Sequence, residues 1–274
     1  MKSIFIKTVV FILFSNFITG CTDVIDVDVP NGGERLVIDA SIKWEKGTTG
    51  QDQTIILSKS TRYFADNSFV GLVGAVVQVT NNITGDNFVF IDQANGNYTT
   101  SSFIPIIDNS YTLTIVYDSQ TYSGTETLFP VSDITNVEQD VFGGFGEDEI
   151  QVRAYFDDPV GIHNYYMAEF ISPHRPFRDL TTRDDEFSDG NENFIEFDDE
   201  DLIAGDVVTI SLHGISKHYY NYATILENQA SEGGPFSSTP VQLTGNCKNI
   251  SNPDEEVLGY FRLGEFDMIN YTIN

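Results

Sequence analysis

The chain has 274 residues, 41% of them hydrophobic, with 41 Asp+Glu against 14 Lys+Arg. That hydrophobic share is enough to bury a core and excludes a disordered chain. The acidic excess opposes contact with phosphate backbones, so nucleic acid is excluded as a partner.

The N-terminus reads as a lipoprotein leader over residues 1–20. Lys2 and Lys7 form a positive start, and an apolar run from Val9 to Phe14 follows. The run is shorter than the ~20 residues of a membrane span and fits a secretory segment. It ends in Ile18-Thr19-Gly20-Cys21, which is similar to a bacterial lipobox. Small residues there admit a peptidase, and the Cys21 thiol is the nucleophile that accepts a lipid. The sequence therefore predicts a membrane anchor at Cys21. Residues 21–33 read as an acidic tether that closes on Gly32-Gly33. The second cysteine, Cys247, then has no disulfide partner and is expected to be buried and inert.

From Leu36 onward the chain alternates with a period of two. Leu36, Ile38, Ala40, Ile42 and Trp44 mark the first strand, and 54–58 a second. Strands at 75–79 and 87–92 flank an Asn-rich turn, which predicts a hairpin. Tyr98, 111–117 and 121–125 continue the series. This spacing predicts a small β-sandwich over 34–130. A second β-rich domain is expected over 131–274, with strands at 150–156, 164–171, 207–212, 257–263 and 269–273. Residues 179–201 read as an acidic loop. The fold class is thus mainly β, with one amphipathic helix. Ser216 is placed to cap that helix, and Tyr219, Tyr222, Ala223, Leu226 and Ala230 share one face. Glu227 lies off that face and is expected to contribute little to stability.

No hydrolase, P-loop or zinc-protease motif is present. His213 and His218 have poor ligand spacing, and a histidine in such a place is more often structural. The acidic loop partly echoes a calcium loop, with Asp185 at position 1, Asp189 at 5, Gly190 at 6 and Glu196 at 12. Phe187 at position 3 departs from that pattern. Asp185, Asp189 and Glu196 are the candidate calcium ligands, and no other cofactor is expected. Tyr220, off the packed helix face, is the candidate ligand-contacting aromatic.

One resemblance spans nearly the whole mature chain. It rests on the order of Ile25-Asp26-Val27-Asp28-Val29-Pro30, Gly74-Ala75-Val76-Val77-Gln78-Val79, Gly96-Asn97-Tyr98, Tyr219-Tyr220-Asn221-Tyr222, Pro235-Phe236-Ser237-Ser238-Thr239-Pro240 and Leu258-Gly259-Tyr260-Phe261. This order resembles a family of Bacteroidota outer-membrane lipoproteins classified as a domain of unknown function. The resemblance implies an immunoglobulin- or transthyretin-like first domain and a β-rich second domain, in a surface-facing, non-catalytic accessory subunit of a TonB-dependent uptake receptor, and it carries over no catalytic residues. Two other readings stay open: a glycan- or surface-binding adhesin module, and a secreted hydrolase with unrecognised acid residues.

Overall fold

The computed structural model describes residues 33–61, 69–141, 143, 149–230 and 243–274. The leader, Cys21 and most of the tether lie outside these residues, as does Pro235–Pro240. Residues 34–274 form a unit of their own, and it is mainly β.

Strands β1 (Leu36–Glu45), β2 (Gln53–Lys59), β3 (Val76–Asn81), β4 (Asn87–Asp92), β5 (Asn97–Thr100), β6 (Ser110–Tyr117) and β7 (Gln120–Phe129) follow in chain order. They continue as β8 (Ile134–Asp140), β9 (Ile150–Asp157), β10 (Tyr165–Ile171), β11 (Asp179–Asp184), β12 (Glu192–Asp199) and β13 (Val207–Gly214). Helix α1 (Lys217–Ala230) comes next, then β14 (Lys248–Asn249) and β15 (Leu258–Thr272). A 12-stranded sheet runs β11-β10-β13-β15-β1-β2-β5-β4-β3-β6-β7-β14, and β7 also pairs with β15. That extra pairing closes β15, β1, β2, β5, β4, β3, β6 and β7 into a ring. A smaller sheet runs β12-β9-β8.

The expected hairpin is β3–β4, joined through the Asn81–Asp86 turn. The two strands expected at 257–263 and 269–273 are one strand, β15. Its first half pairs in parallel with β1, Val37 opposite Leu258 through Glu45 opposite Phe266. Its second half pairs antiparallel with β13. The parallel partner needs Gly259, which has φ +91°. A Cβ there would meet the Ile38 carbonyl oxygen at 1.9 Å, so the approach is open to glycine alone.

Two apolar cores result. The first fills the ring with Ile38, Ile42, Ile55, Leu57, Tyr111 and Phe261, all nearly or fully buried. The second lies between the small sheet and β10–β13, around Phe156, Phe170, Phe197 and Ile210. The first core takes nothing between Leu128 and Cys247, and the second begins at Val131.

The acidic stretch 179–201 is not a loop. It holds β11 and β12, and Asn193, Ile195, Phe197 and Asp199 of β12 face inward in strict alternation. The density of Asp and Glu on the alternate positions hides that period in the sequence.

Helix α1 begins as expected. Ser216 Oγ accepts from the Tyr219 N–H at 3.0 Å, the usual N-cap geometry. The helix lies across β10 and β11. Glu227 is a tie rather than a bystander: it accepts from the Thr182 N–H at 3.2 Å and from Thr182 Oγ1 at 3.0 Å. The apolar period could not show this, because the partner strand sits 45 residues away. Glu227→Ala should therefore lower stability by ~1.5–3 kcal/mol, the scale of hydrogen bonds to a charged acceptor. A denaturant melt reads the difference, and a loss under ~0.5 kcal/mol would return Glu227 to the solvated face.

Candidate functional site

Alternation in β1, β10, β13 and β15 turns their apolar side chains to the cores. The residues between them face the opposite way, towards α1. On β1 these are Asp39, Ser41 and Lys43; on β10, Met167 and Glu169; on β15, Tyr260 and Arg262. Helix α1 covers them incompletely and leaves a cavity of about 530 Å³. Tyr219, Tyr222 and Leu226 of the helix form one wall. The volume lies within the range of small-molecule sites.

Glu169 is the centre of the floor. Lys43 Nζ donates to both its oxygens, at 2.8 and 3.1 Å. Arg178 Nη1 donates to Oε2 at 2.6 Å, and Arg262 Nη2 to Oε1 at 3.2 Å. Arg262 Nε also donates to Ser41 Oγ, its cross-strand partner, at 3.1 Å. Burial by itself would raise the Glu169 carboxyl. The charge that His213 carries once protonated at low pH, with those of Lys43 and Arg262, outweighs burial and holds it at about 2. Burial lowers Lys43, and Arg262 adds to that effect.

His213 is buried beside this group, with Nε2 3.7 Å from Glu169 Oε1. Neither ring nitrogen has a hydrogen-bond partner among the described residues. The ring stacks on Phe266 at 5.0 Å. Burial pushes His213 well below its ordinary range, and Arg262 adds to the shift. It is neutral at pH 7, so three cations surround one carboxylate.

The aromatic wall is a cluster of three rings. Tyr260 meets Tyr219 edge-on and Tyr222 at a tilt, each at 4.9 Å. The Arg262 guanidinium lies over Tyr219 at 5.0 Å. Burial raises all three hydroxyl pKa values. Tyr220, the aromatic singled out from the sequence, is not in this wall; it packs against Tyr165 at 5.2 Å. The helix face assigned to packing is the one that faces the cavity.

Of the three expected calcium residues, two come together and one does not. Asp185 and Asp189 converge with Asp158, ligand atoms within 4.8 Å of one another. Glu196 is not with them; it pairs with Arg153 across β9 and β12 at 3.2 Å. The three Asp carboxylates already receive protein donors. Tyr166 donates to Asp158 at 2.5 Å, the Asn164 N–H to Asp185 at 2.7 Å and the Gly161 N–H to Asp189 at 2.7 Å. They staple the β9–β10 loop to the β11–β12 loop. Asp158 was out of reach of a loop-spacing argument because it lies on the other loop. Cys247 is buried, and burial lifts its thiol to about 12, which keeps it protonated.

The chain belongs to the family described as Domain of unknown function (DUF4249), whose model matches residues 22–268. No curated protein sequence matches it. Among solved structures it is similar to a two-domain fibronectin type III segment from chicken tenascin. That match has 10% identity over 59% of this chain and 83% of the other, with a TM-score of 0.21. A cytokine receptor complex matches at 7% identity over 67% and 92%, with a TM-score of 0.26. Chicken CNTN1 FN1–FN3 domains match at 10% identity over 65% and 59%, also at 0.26. Likenesses this loose say nothing of the site.

The charge network predicts two stability effects. Glu169→Gln leaves Lys43, Arg178 and Arg262 facing one another without a counter-charge. Breaking a buried pair in this way should cost ~3–5 kcal/mol in a denaturant melt. The second effect is on pH. A carboxyl depressed to about 2 stabilises the fold above its unfolded value of 4.5 and loses that contribution as pH falls toward 2. A histidine depressed below 6.5 acts with the same sign: its contribution is complete above 6.5 and is lost as pH falls below it. His174, raised by its bond to Asp206, acts in the opposite sense. His213→Phe keeps the stack on Phe266 and gives up no hydrogen bond. Thermal melts from pH 7 to pH 5 should fall less steeply for this variant than for the wild type. Parallel curves would mean that His213 titrates normally.

Proposed function

We propose that this protein is a lipid-anchored outer-membrane lipoprotein, facing the cell surface, that serves as a non-catalytic accessory or binding subunit of a TonB-dependent uptake receptor. The observation that carries the binding reading is the state of the cavity's ionisable groups. Glu169 stays ionised down to a pH of about 2 and is saturated by donors, so it has no proton to give or take near neutrality. The tyrosines beside it hold their protons more tightly than usual. Such groups position and bind; they do not shuttle protons.

The anchor expected at Cys21 supports the membrane assignment. Two or three acyl chains, at ~0.8 kcal/mol per buried methylene, hold a protein durably in the membrane plane. Among the described residues no helix is long and apolar enough to cross a membrane. Confinement to the plane raises the effective concentration of the body near a neighbouring receptor. The receptor itself enters through the family resemblance.

Tagged full-length protein, extracted in detergent and washed at 0.5 M salt, should retain a TonB-dependent receptor identified by mass spectrometry. That salt reduces the screening length to roughly 4–5 Å, so a retained partner is held by packed interface rather than by long-range charge. Recovery of the bait alone, while a known receptor–lipoprotein pair survives the same wash, would overturn the receptor reading in favour of the adhesin. Cys21→Ser should also abolish labelling by a fatty-acid probe. Label retained on that variant would overturn the anchor.

A further inference from the structure

The charge of the cavity is opposite to that of the protein. The full chain carries −27. Lys43, Arg178 and Arg262 line the cavity against Glu169 and the exposed Asp39, which leaves an excess of positive charge. The excess is also visible in hydrogen bonding. A carboxylate offers about four lone-pair positions. Those of Glu169 receive four donors, two from Lys43 and one each from Arg178 and Arg262. The cations are not exhausted by this. Arg178 makes no other side-chain hydrogen bond among the described residues, and its side chain is 51% accessible at the cavity mouth. Its remaining N–H groups form a fork suited to a planar or tetrahedral oxyanion.

The rest of the lining has a different chemistry. Tyr219, Tyr222 and Leu226 come from the helix, Tyr260 and Met167 from the sheet beside the cations and Leu180 from β11, and together they supply aromatic and apolar area. Aromatic faces of this kind receive a flat or ring-shaped body. The cations and the aromatic side chains border one half-open cavity of about 530 Å³, more than a bare inorganic ion fills.

We propose that this cavity is a binding site for a small organic anion, whose carboxylate or phosphate head meets Arg178, Lys43 and Arg262 and whose ring-sized body lies against Tyr219 and Tyr222. The site is independent of the receptor assignment: it is a property of the isolated body and stands whether or not a receptor is retained. The cations compensate Glu169 first, so the ligand meets donors already held in place by the fold. This preorganisation lowers the cost of binding.

Isothermal titration calorimetry on the full-length protein in neutral detergent tests the site with matched probes. Galacturonate, benzoate and glucose 6-phosphate supply a head on a ring. Galactose, benzyl alcohol and glucose supply the respective bodies alone, and acetate and inorganic phosphate the head alone. At least one ring anion should bind ten-fold or more tightly than both its neutral counterpart and its bare head. The identity of that probe distinguishes a carboxylate from a phosphate ligand. Arg178→Gln changes a half-exposed side chain and should weaken that probe ten-fold or more. Tyr222→Ala, from the other wall, should weaken it as well, while the melting curve of each variant verifies the fold. The proposal is overturned if no ring anion binds, if the neutral body or the bare head binds equally well, or if both variants, folded, bind like the wild type.

Discussion

A strand fixes which way every side chain on it points, and β15 applies that constraint across the whole body. Its odd-numbered residues Phe261 and Leu263 enter the first core; Ile269 is exposed further along, and at the far end Tyr271, with Ile273 just past the strand, packs at the second. The even-numbered residues must then face the other way, and Tyr260, Arg262 and Phe266 do. A one-residue slip would bury Arg262 in an apolar core and expose Phe261. Two cores and one polar face are thus held in register by a single strand. The parallel pairing with β1 extends the same order. It sets Arg262 opposite Ser41 and Lys43 opposite Gly264, so the cations of two strands emerge on one face. The absence of a side chain at Gly264 leaves room beside Lys43, and a Cβ there would also strike the Gly214 carbonyl oxygen at 2.3 Å.

Charges brought together in this way need a counter-charge. Taking three cations partly out of water costs several kcal/mol each unless a carboxylate sits among them. Glu169 supplies it from β10, two strands away from β15 through β13. Ion pairs of this kind contribute little net stability compared with apolar packing, but they specify one arrangement, because any other leaves a charge unpaired. The same reasoning accounts for His213. It is within 3.7 Å of Glu169 and could be a fourth cation. Burial and the existing positive charge make its neutral form the cheaper one, and its ring is used instead to stack on Phe266.

The legible part of this fold was the part written at short range. The period of two in β1 gave that strand to within one residue at its end. The turn residues around Asn81–Asp86 gave the β3–β4 hairpin, and Ser216 with its apolar spacing gave the start and inner face of α1. Long-range relations were not legible. Lys43, Glu169 and Arg262 are separated by 126 and 93 residues, and no motif links them. A signal was available at two positions. Glu169 sits between Ala168 and Phe170 in an otherwise apolar run, as Arg262 does between Phe261 and Leu263. A charged residue at such a position must either be paired or line a cavity. The acidic stretch misled for the converse reason. Its charged positions dominate the linear pattern and mask the alternating Ile195 and Phe197 between them. The calcium echo was likewise a linear pattern, and a strand, β12, carries Glu196 away from Asp185 and Asp189.

The helix residues show how much depends on where a face is turned rather than on what it contains. Tyr219, Tyr222 and Leu226 have the spacing of a packing stripe, and such a stripe ordinarily meets apolar side chains. Here the sheet beneath presents Lys43, Glu169 and Arg262, which cannot close against it as a core would. The stripe is therefore only half satisfied, and the gap is the cavity. An acidic surface around a cationic cavity is not a contradiction. At physiological ionic strength charges on the surface are screened within about 8 Å, so the far acids hardly affect an anion at the mouth. Inside, less screening strengthens the nearby cations. The same acids, placed outside, would discourage polyanions too large to enter, so that charge and size together select a small anion over a nucleic acid or an anionic membrane.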